Sequence, residues 1–452
     1  MNRIPSSYKD PSGYVFENEN VIYRAINQSF IKDYTMLMNS GLYNELIKNK
    51  LLIPHEEIKE NWIGEPYKII IKPTQIPTIS YAYEWSFSML QDAAICTLKC
   101  ALTALKYNMV LKDAPTFNIQ FFENKSLLID TLSFEFYEEG KPWIAYRQFC
   151  ESFLAPLLLM KYNNSSLNKL LIAYPNGIPL NICSSLLPLR SKANMNVALH
   201  IFLQTSLAKK SNKNQSNETY FSKKKLQTLI NGLLEFVASL KVKKENTTWD
   251  NYYQETIISK NYLQEKKEIV SKMLAKMDFN SLLDLGANDG EFSLLYKNTE
   301  KQIIAVDEDK TCIERLYLHC KKNKIPNVLP LIIDLSAPTP AIGWANKERP
   351  SFIERLKPDV VLALALIHHL CIAHNLSINQ VMQFLHTLGD YVLIEFVSKE
   401  DEKVATLLQH RKDIYSDYTK ENFIKELSQY FNIIEEQNCS ISSRTLFLLK
   451  KK

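Results

Sequence analysis

The second half of the chain reads as an α/β fold built on a mostly parallel sheet, behind an N-terminal half of α+β character. Three observations predict it. From about residue 280 to the C-terminus, short apolar runs alternate with amphipathic stretches of helical length. The first run leads into Gly286-Ala287-Asn288-Asp289-Gly290, two glycines within five positions in a chain with only 10 among its 452 residues. Later runs end in acids, at Asp307, Asp334 and Glu395. Strands separated by helices of ten or more residues pair in parallel through right-handed crossovers, and ligands then sit outside their carboxyl ends.

The elements follow in order. The strand entering the glycine turn carries Asp284. A second, 302–306, ends in Asp307, which is 17 residues beyond Gly290. A third, 328–333, ends in Asp334. The fourth, 359–364, is nearly all apolar, as a parallel strand covered on both faces should be, and runs into Ala365-Leu366-Ile367-His368-His369. The fifth, 391–394, ends at Glu395. Two late strands, 431–436 and 444–449, are joined by a connection too short for a crossover, so they form a hairpin.

The turn narrows the ligand. A dinucleotide fingerprint needs G-x-G-x-x-G so that amides approach a pyrophosphate. Here the spacing is G-x-x-x-G with Asp284 and Asp289 alongside, and carboxylates repel phosphate. They suit a ligand with an ammonium group and no phosphate, the methionine half of S-adenosyl-L-methionine (SAM). Asp307 is placed to accept ribose hydroxyls and Asp334 to meet an adenine amino group. The cofactor-binding set is Asp284, Gly286, Ala287, Asn288, Gly290, Asp307, Asp334, Leu335 and Ala365, with no metal expected.

As a set, these elements resemble the class I SAM-dependent methyltransferases. Longer stretches are similar to the nodulation-protein (NoeA-like) group: DLGANDGEFS at 284–293, LALALIHHL at 362–370, IEFVSKED at 394–401 and RKDIYSDYT at 411–419. In the N-terminal half the same holds for DPSGYVF at 10–16, ISYAYEWSFSMLQDAA at 79–94, LKDAPTFNIQF at 111–121 and IDTLSFEFYEEGKPWIAYRQFC at 129–150. The resemblance implies a Rossmann-like seven-stranded sheet of order 3-2-1-4-5-7-6 with the last strand antiparallel, and methyl transfer to an acceptor it leaves open.

Composition agrees with a large globular chain: 46% hydrophobic, 11% aromatic and 23% charged residues, net charge +5. No run reaches the ~18 apolar residues of a membrane span, the N-terminus lacks an apolar signal region, and the eight cysteines make no metal-ligand spacing. A cytoplasmic protein with reduced thiols is expected. Residues 205–244 hold nine lysines against two glutamates. The core of this stretch reads as an exposed linker, and 226–240 as a helix leading into the catalytic domain. The expected division is 1–204, an α+β accessory domain; 205–247, the lysine-rich linker and helix; and 248–452, the methyltransferase domain.

Methyl transfer needs alignment of a nucleophile and removal of its proton. His368 and His369, just past the fourth strand, are candidate bases, because imidazole titrates near neutrality. Glu395 is the competing acid–base group. Trp249, Tyr253 and Tyr262 could face the sulfonium with π-density, or merely pack. The proline-rich loop around Trp344 and Arg349 is placed to select the acceptor, though Glu348 and Arg349 could simply pair on the surface.

In the first 200 residues, Asp113, Asn118 and Asp130 resemble the catalytic loop and metal-binding acid of kinase-like phosphotransferases. Position 111 is Leu where that motif has His, and Gly13 stands without a glycine-rich loop. An active phosphotransferase, a degenerate kinase-like scaffold and an unrelated accessory domain stay open. Trp143, Tyr146, Arg147 and Phe149 could line a groove or fill a core. The expected function is SAM-dependent methylation of a small-molecule or glycoconjugate hydroxyl. An RNA-directed enzyme using the lysine-rich segment, and a non-catalytic SAM-binding regulator, are the alternatives.

Overall fold

The computed structural model describes residues 2–59, 63–64, 66–211, 220–242, 260–409 and 412–452. By internal contact the chain forms two units, Met1–Lys243 with Ala341–Pro350, and Lys244–Pro340 with Ser351–Lys452.

The first unit begins with an antiparallel sheet. Its strands are β1 (Asn2–Arg3), β2 (Gly13–Asn18), β3 (Val21–Asn27), β4 (His55–Ile58) and β5 (Tyr67–Pro73), in the order β1-β2-β3-β5-β4. Two short helices, Ile31–Asn39 and Leu42–Lys48, separate β3 from β4. The 20-residue helix Phe87–Lys106 is the unit's central element, with apolar or small residues buried around most of its circumference, as a helix enclosed by other elements requires. After it come β6 (Met109–Leu111), the hairpin β7 (Ile119–Phe122) and β8 (Lys125–Leu128), and β9 (Phe134–Phe136), which pairs with β6. The helix Lys223–Ser239 packs against Phe87–Lys106, and Gln91 Nε2 donates to the carbonyls of Val237 and Leu240 at 2.7 and 2.8 Å. The apolar stripe read as leading into the catalytic domain is therefore satisfied within the first unit.

The second unit is the α/β layer. Its strands are β10 (Ser281–Leu285), β11 (Gln302–Asp307), β12 (Val328–Ile332), β13 (Val360–Ala363), β14 (Tyr391–Phe396), β15 (Phe431–Asn438) and β16 (Thr445–Lys451), in the order β12-β11-β10-β13-β14-β16-β15. The five central strands pair in parallel. β16 runs antiparallel to both neighbours. This is the 3-2-1-4-5-7-6 sheet with an antiparallel last strand. All four residues of β13 are buried, whereas edge strand β15 is mostly exposed beyond Phe431, the burial expected of central and edge positions. Two strand ends differ from the sequence reading. Asp334 stands two residues beyond β12, and Glu395 lies inside β14, opposite Leu446.

Among the described residues no helix is long and apolar enough to cross a membrane. All eight cysteines are unbridged and buried.

Candidate active site

The turn after β10 is shaped by its glycines. The Gly286 and Ala287 amides both donate to the Val306 carbonyl at 2.9 and 3.0 Å, tying the turn to β11. Gly286, Asn288 and Gly290 have φ of 74°, 51° and 81°, a region that glycine enters freely and asparagine tolerates. A Cβ on Gly290 would also meet Leu316 Cδ1 at 2.6 Å. That glycine lets the helix Lys310–Asn323 approach the turn, whereas Gly286 is needed for its φ.

The turn in turn holds Asp307. Oδ2 accepts the Asn288 amide at 2.8 Å and Oδ1 accepts the Asp309 amide at 2.8 Å. Each carboxylate oxygen can accept twice, so both keep a direction for a ligand hydroxyl. Burial pushes the Asp307 carboxyl up to about 6, against the pull of the two amides.

Asp307 opens on a cavity of about 230 Å³ at the carboxyl ends of the strands. Gly286, Asn288, Asp334, Leu335, Ala365 and His369 line the same cavity. Asp334 is oriented by the Ser336 amide and hydroxyl, which donate to its Oδ1 at 2.9 and 2.6 Å. Hydroxyl acceptors on one wall and apolar surface at Leu335, Leu364 and Leu366 make a cavity that fits a nucleoside. Asp284 in β10, and Ala287 and Gly290 in the turn, do not line it. Asp284 is buried beneath, accepting the Ser293 hydroxyl at 2.6 Å, with its carboxyl pushed up to about 6 by burial. Asp289 turns away to a bidentate pair with Arg315, at 2.9 and 3.0 Å. The two acids flanking the glycines therefore do not face the ligand space. Its negative charge comes from Asp307, Glu308 and Asp334 instead.

Of the paired histidines only His369 reaches the cavity. Its imidazole is pushed down to about 4, first by burial and then by His374, Arg444 and Lys403, so it is neutral at pH 7. His368 is fully buried with neither ring nitrogen hydrogen-bonded. Burial and then the His369 ring hold it well below the usual imidazole range.

Glu395 does not have the place of a general acid or base. It is completely buried and accepts from the Tyr262 hydroxyl at 2.8 Å, Lys266 Nζ at 2.7 Å and the Ala365 amide at 2.6 Å. Arg444 Nη1 stands 3.8 Å away and is itself paired with Asp401. Burial alone would raise the Glu395 carboxyl, but Lys266 and Arg444 outweigh it and hold it below the usual range. Tyr262, read as a ring for the sulfonium, instead spends its hydroxyl on this network. Ala365, with φ 51°, is fixed at the cavity wall by Glu395. Sequence reasoning missed Lys266 and Arg444. The available signal was a lysine on the apolar stripe Tyr262, Lys266, Val270, Met273 of the helix Lys260–Leu274.

Trp249 and Tyr253 lie outside the described residues. Trp344 and Arg349 belong to the segment that groups with the first unit. Trp344 is 72% exposed, near the Tyr8 ring at 6.4 Å. Arg349 is largely buried, with its guanidinium 3.9 Å from the centre of the Phe117 ring and 3.5 Å from Glu348 Oε1. That pair is interior, not on the surface.

In the first unit Asp113, Asn118 and Asp130 do come together. Asn118 Nδ2 donates to Asp130 Oδ2 at 3.3 Å, and burial together with Asp130 raises the Asp113 carboxyl. But Asp130 is filled: Ser133 Oγ donates at 2.6 Å, the Leu132 amide at 3.0 Å, and Arg24 of β3 bridges it to Asp10. Among the described residues no group of three His, Cys, Asp or Glu is placed to hold a metal ion. Trp143 and Phe149 are core residues. Trp143 Nε1 donates to the Leu111 carbonyl at 2.7 Å, Tyr146 meets His200 at 2.8 Å, and Arg147 pairs with Glu151.

No family model matches the chain. The chain is similar to nodulation protein NoeA of Rhizobium meliloti (strain 1021), 29% identical over 461 residues that cover 99% of this chain and 96% of NoeA. The resemblance read from the motifs therefore runs from end to end. Among solved structures, N-methyltransferase NodS from Bradyrhizobium japonicum WM9 in complex with S-adenosyl-L-homocysteine matches with TM-score 0.32 and 12% identity, over 45% of this chain and 93% of NodS. WbdD matches with TM-score 0.31 and 16% identity over 44% of this chain, which spans only 42% of WbdD.

Proposed function

We propose that the chain is a SAM-dependent methyltransferase whose acceptor is the hydroxyl of a small molecule or glycoconjugate. The observation that carries this is Asp307, oriented by two backbone amides, with spare acceptor directions at the mouth of a nucleoside-sized cavity. The residues fit the cofactor as follows. Asp307 would take the ribose hydroxyls, Asp334 the adenine edge, and the backbone at Gly286 and Asn288 would border the amino-acid part. Bound SAM supplies an already activated methyl group. What remains for the protein is to align the acceptor and take up its proton.

His369 is the base this reading assigns. Its imidazole is neutral at pH 7, the form that can take up a proton, but with a pKa near 4 it is a weak base, so its contribution falls at the low end of general-base catalysis, about 10²-fold. A role for Trp344 and Arg349 in acceptor choice has less support, because Arg349 spends its charge on Glu348 and Phe117. For the first unit we infer a degenerate kinase-like scaffold rather than an active phosphotransferase. An active phosphotransferase keeps its acid available for magnesium, whereas here Arg24 pairs with Asp130 directly.

The test is transfer of labelled methyl from SAM into a fractionated metabolite extract, with wild type and His369→Gln compared. Labelled product that depends on the protein, reduced about 10²-fold by the variant at unchanged SAM affinity, is expected. SAM binding without transfer to any fraction would favour the regulatory alternative, and no SAM binding would overturn the cofactor assignment.

A further inference from the structure

Residues 152–217 contain no aspartate or glutamate and seven lysines or arginines, although acids make up 49 of the chain's 452 residues. Within this run lies a continuous helical segment made of Met195–Val197, Ala198–Leu203 and Gln204–Ser211. Its inner face buries Val197, His200 and Ile201. Its outer face exposes Met195, Leu199, Leu203 and Leu207 by 80, 42, 45 and 50%.

The spacing of these four residues matters. In an α-helix a step of four drifts by about 40° around the axis. The middle stretch here is π-helical, with i→i+5 bonds and more residues per turn, which takes the drift back and keeps the four side chains near one line. The adjoining segments 180–186 and 189–193 pack on this stretch and add Leu186 and Leu189, exposed by 43 and 78%. Isolated exposed leucines are ordinary. A patch of them marks a contact surface.

Charge decides what covers it. Arg190 and Lys192 are exposed at its rim, and Lys209 and Lys210 follow Leu207 in sequence. A second copy docked face to face would set two acid-free cationic segments against each other, which like-charge repulsion disfavours. Single-stranded nucleic acid is held by aromatic stacking along a basic groove, and the row is aliphatic. An acidic lipid surface satisfies both halves: the aliphatic row enters the acyl boundary and the cations meet headgroups. We propose that the helical segment Met195–Ser211 docks in the interfacial plane of a membrane containing acidic phospholipids. This does not rest on the methyltransferase reading.

The test is flotation of the full chain with vesicles of phosphatidylcholine alone or mixed with phosphatidylglycerol, alongside light scattering without vesicles. Binding to the mixed vesicles only, weakening with added salt, is expected. Arg190→Glu with Lys192→Glu should weaken it by about fivefold or more per site. Leu199→Glu with Leu203→Glu should abolish it at an unchanged thermal midpoint, and Leu199→Ser with Leu203→Ser serves if the glutamate pair fails to fold. Absence of binding to mixed vesicles, equal binding to neutral ones, or full binding by the Leu199/Leu203 variants would overturn the proposal. So would a dimer that these variants dissociate, in a protein that leaves vesicles untouched.

Discussion

Asp307 in the second unit and Asp130 in the first stand in similar places, each just past or at the end of a strand in the midst of polar neighbours, but their partners differ in kind. Asp307 is held by two backbone amides. These fix its orientation, take one acceptor direction from each oxygen and leave its charge uncancelled. Asp130 is held by a guanidinium, a hydroxyl, a side-chain amide and a backbone amide, which neutralise and fill it. The lesson concerns partner type: an acid set by backbone and facing a cavity is poised to bind, while an acid matched to a buried cation has become structure. Glu395, with Lys266, Tyr262, Arg444 and the Ala365 amide around it, is the extreme of the second kind.

Breaking the closed acids should cost stability, and breaking the open one should cost binding. Glu395→Ala strands Lys266 in the interior, while Arg444 keeps Asp401, and should lower unfolding free energy by about 3 kcal/mol, read from urea midpoints. Glu395→Gln should recover part of that, since its amide oxygen can still accept from Ala365 and Lys266 while its NH2 donates to the Tyr262 hydroxyl. Equal stability of the alanine variant and wild type would refute the structural role. Next, Asp130→Ala should cost about 2 kcal/mol, less than a lone buried pair because Arg24 keeps Asp10. Calorimetry should give wild-type affinity for S-adenosyl-L-homocysteine in that variant. Asp307→Ala should reverse the pattern, weakening that affinity by about 10- to 100-fold, or 1.5–3 kcal/mol, with little change in urea midpoint.

The smallest effect is in pH. The folded Asp307 carboxyl, at about 6, lies above its ordinary value of 3.8, so the folded state binds the extra proton between those values. The contribution of this group to stability is therefore greatest below about 4 and is lost as pH rises through about 6. Ligand hydroxyls need the ionised form, so affinity should fall below pH 6. Asp307→Asn should remove the pH dependence of both stability and affinity between about 4 and 6 while binding more weakly, because its single amide oxygen can accept from only one of the Asn288 and Asp309 amides. Stability with the same pH dependence between about 4 and 6 in wild type and variant would mean that the Asp307 carboxyl is not raised.

The parallel sheet was legible because its strands are covered on both faces and so read as unbroken apolar runs, and because the glycine turn has a backbone that side chains resist. Individual roles were less legible because they depend on partners distant in sequence. Glu395 read as an exposed strand-end acid because Lys266 and Arg444, which bury it, lie 129 and 49 positions away. The flanking acids of the turn read as cofactor-facing because Arg315, which claims Asp289, sits in the middle of the next helix. Trp344 and Arg349 stand on a proline-rich loop whose sequence carries no sign of the unit it joins. Asp113, Asn118 and Asp130 were found by their spacing, and what the spacing could not show was the arginine from β3 that fills their centre.

The return of residues 341–350 to the first unit has a consequence for the order in which the molecule is made. A chain released up to Lys243 lacks the Arg349 guanidinium that covers Phe117 and the Glu348 carboxylate that meets Lys9. On the ribosome the first unit is thus unfinished until nearly a hundred residues of the second, including its first three strands, have emerged. Cutting the gene at the midpoint divides neither unit cleanly from the other.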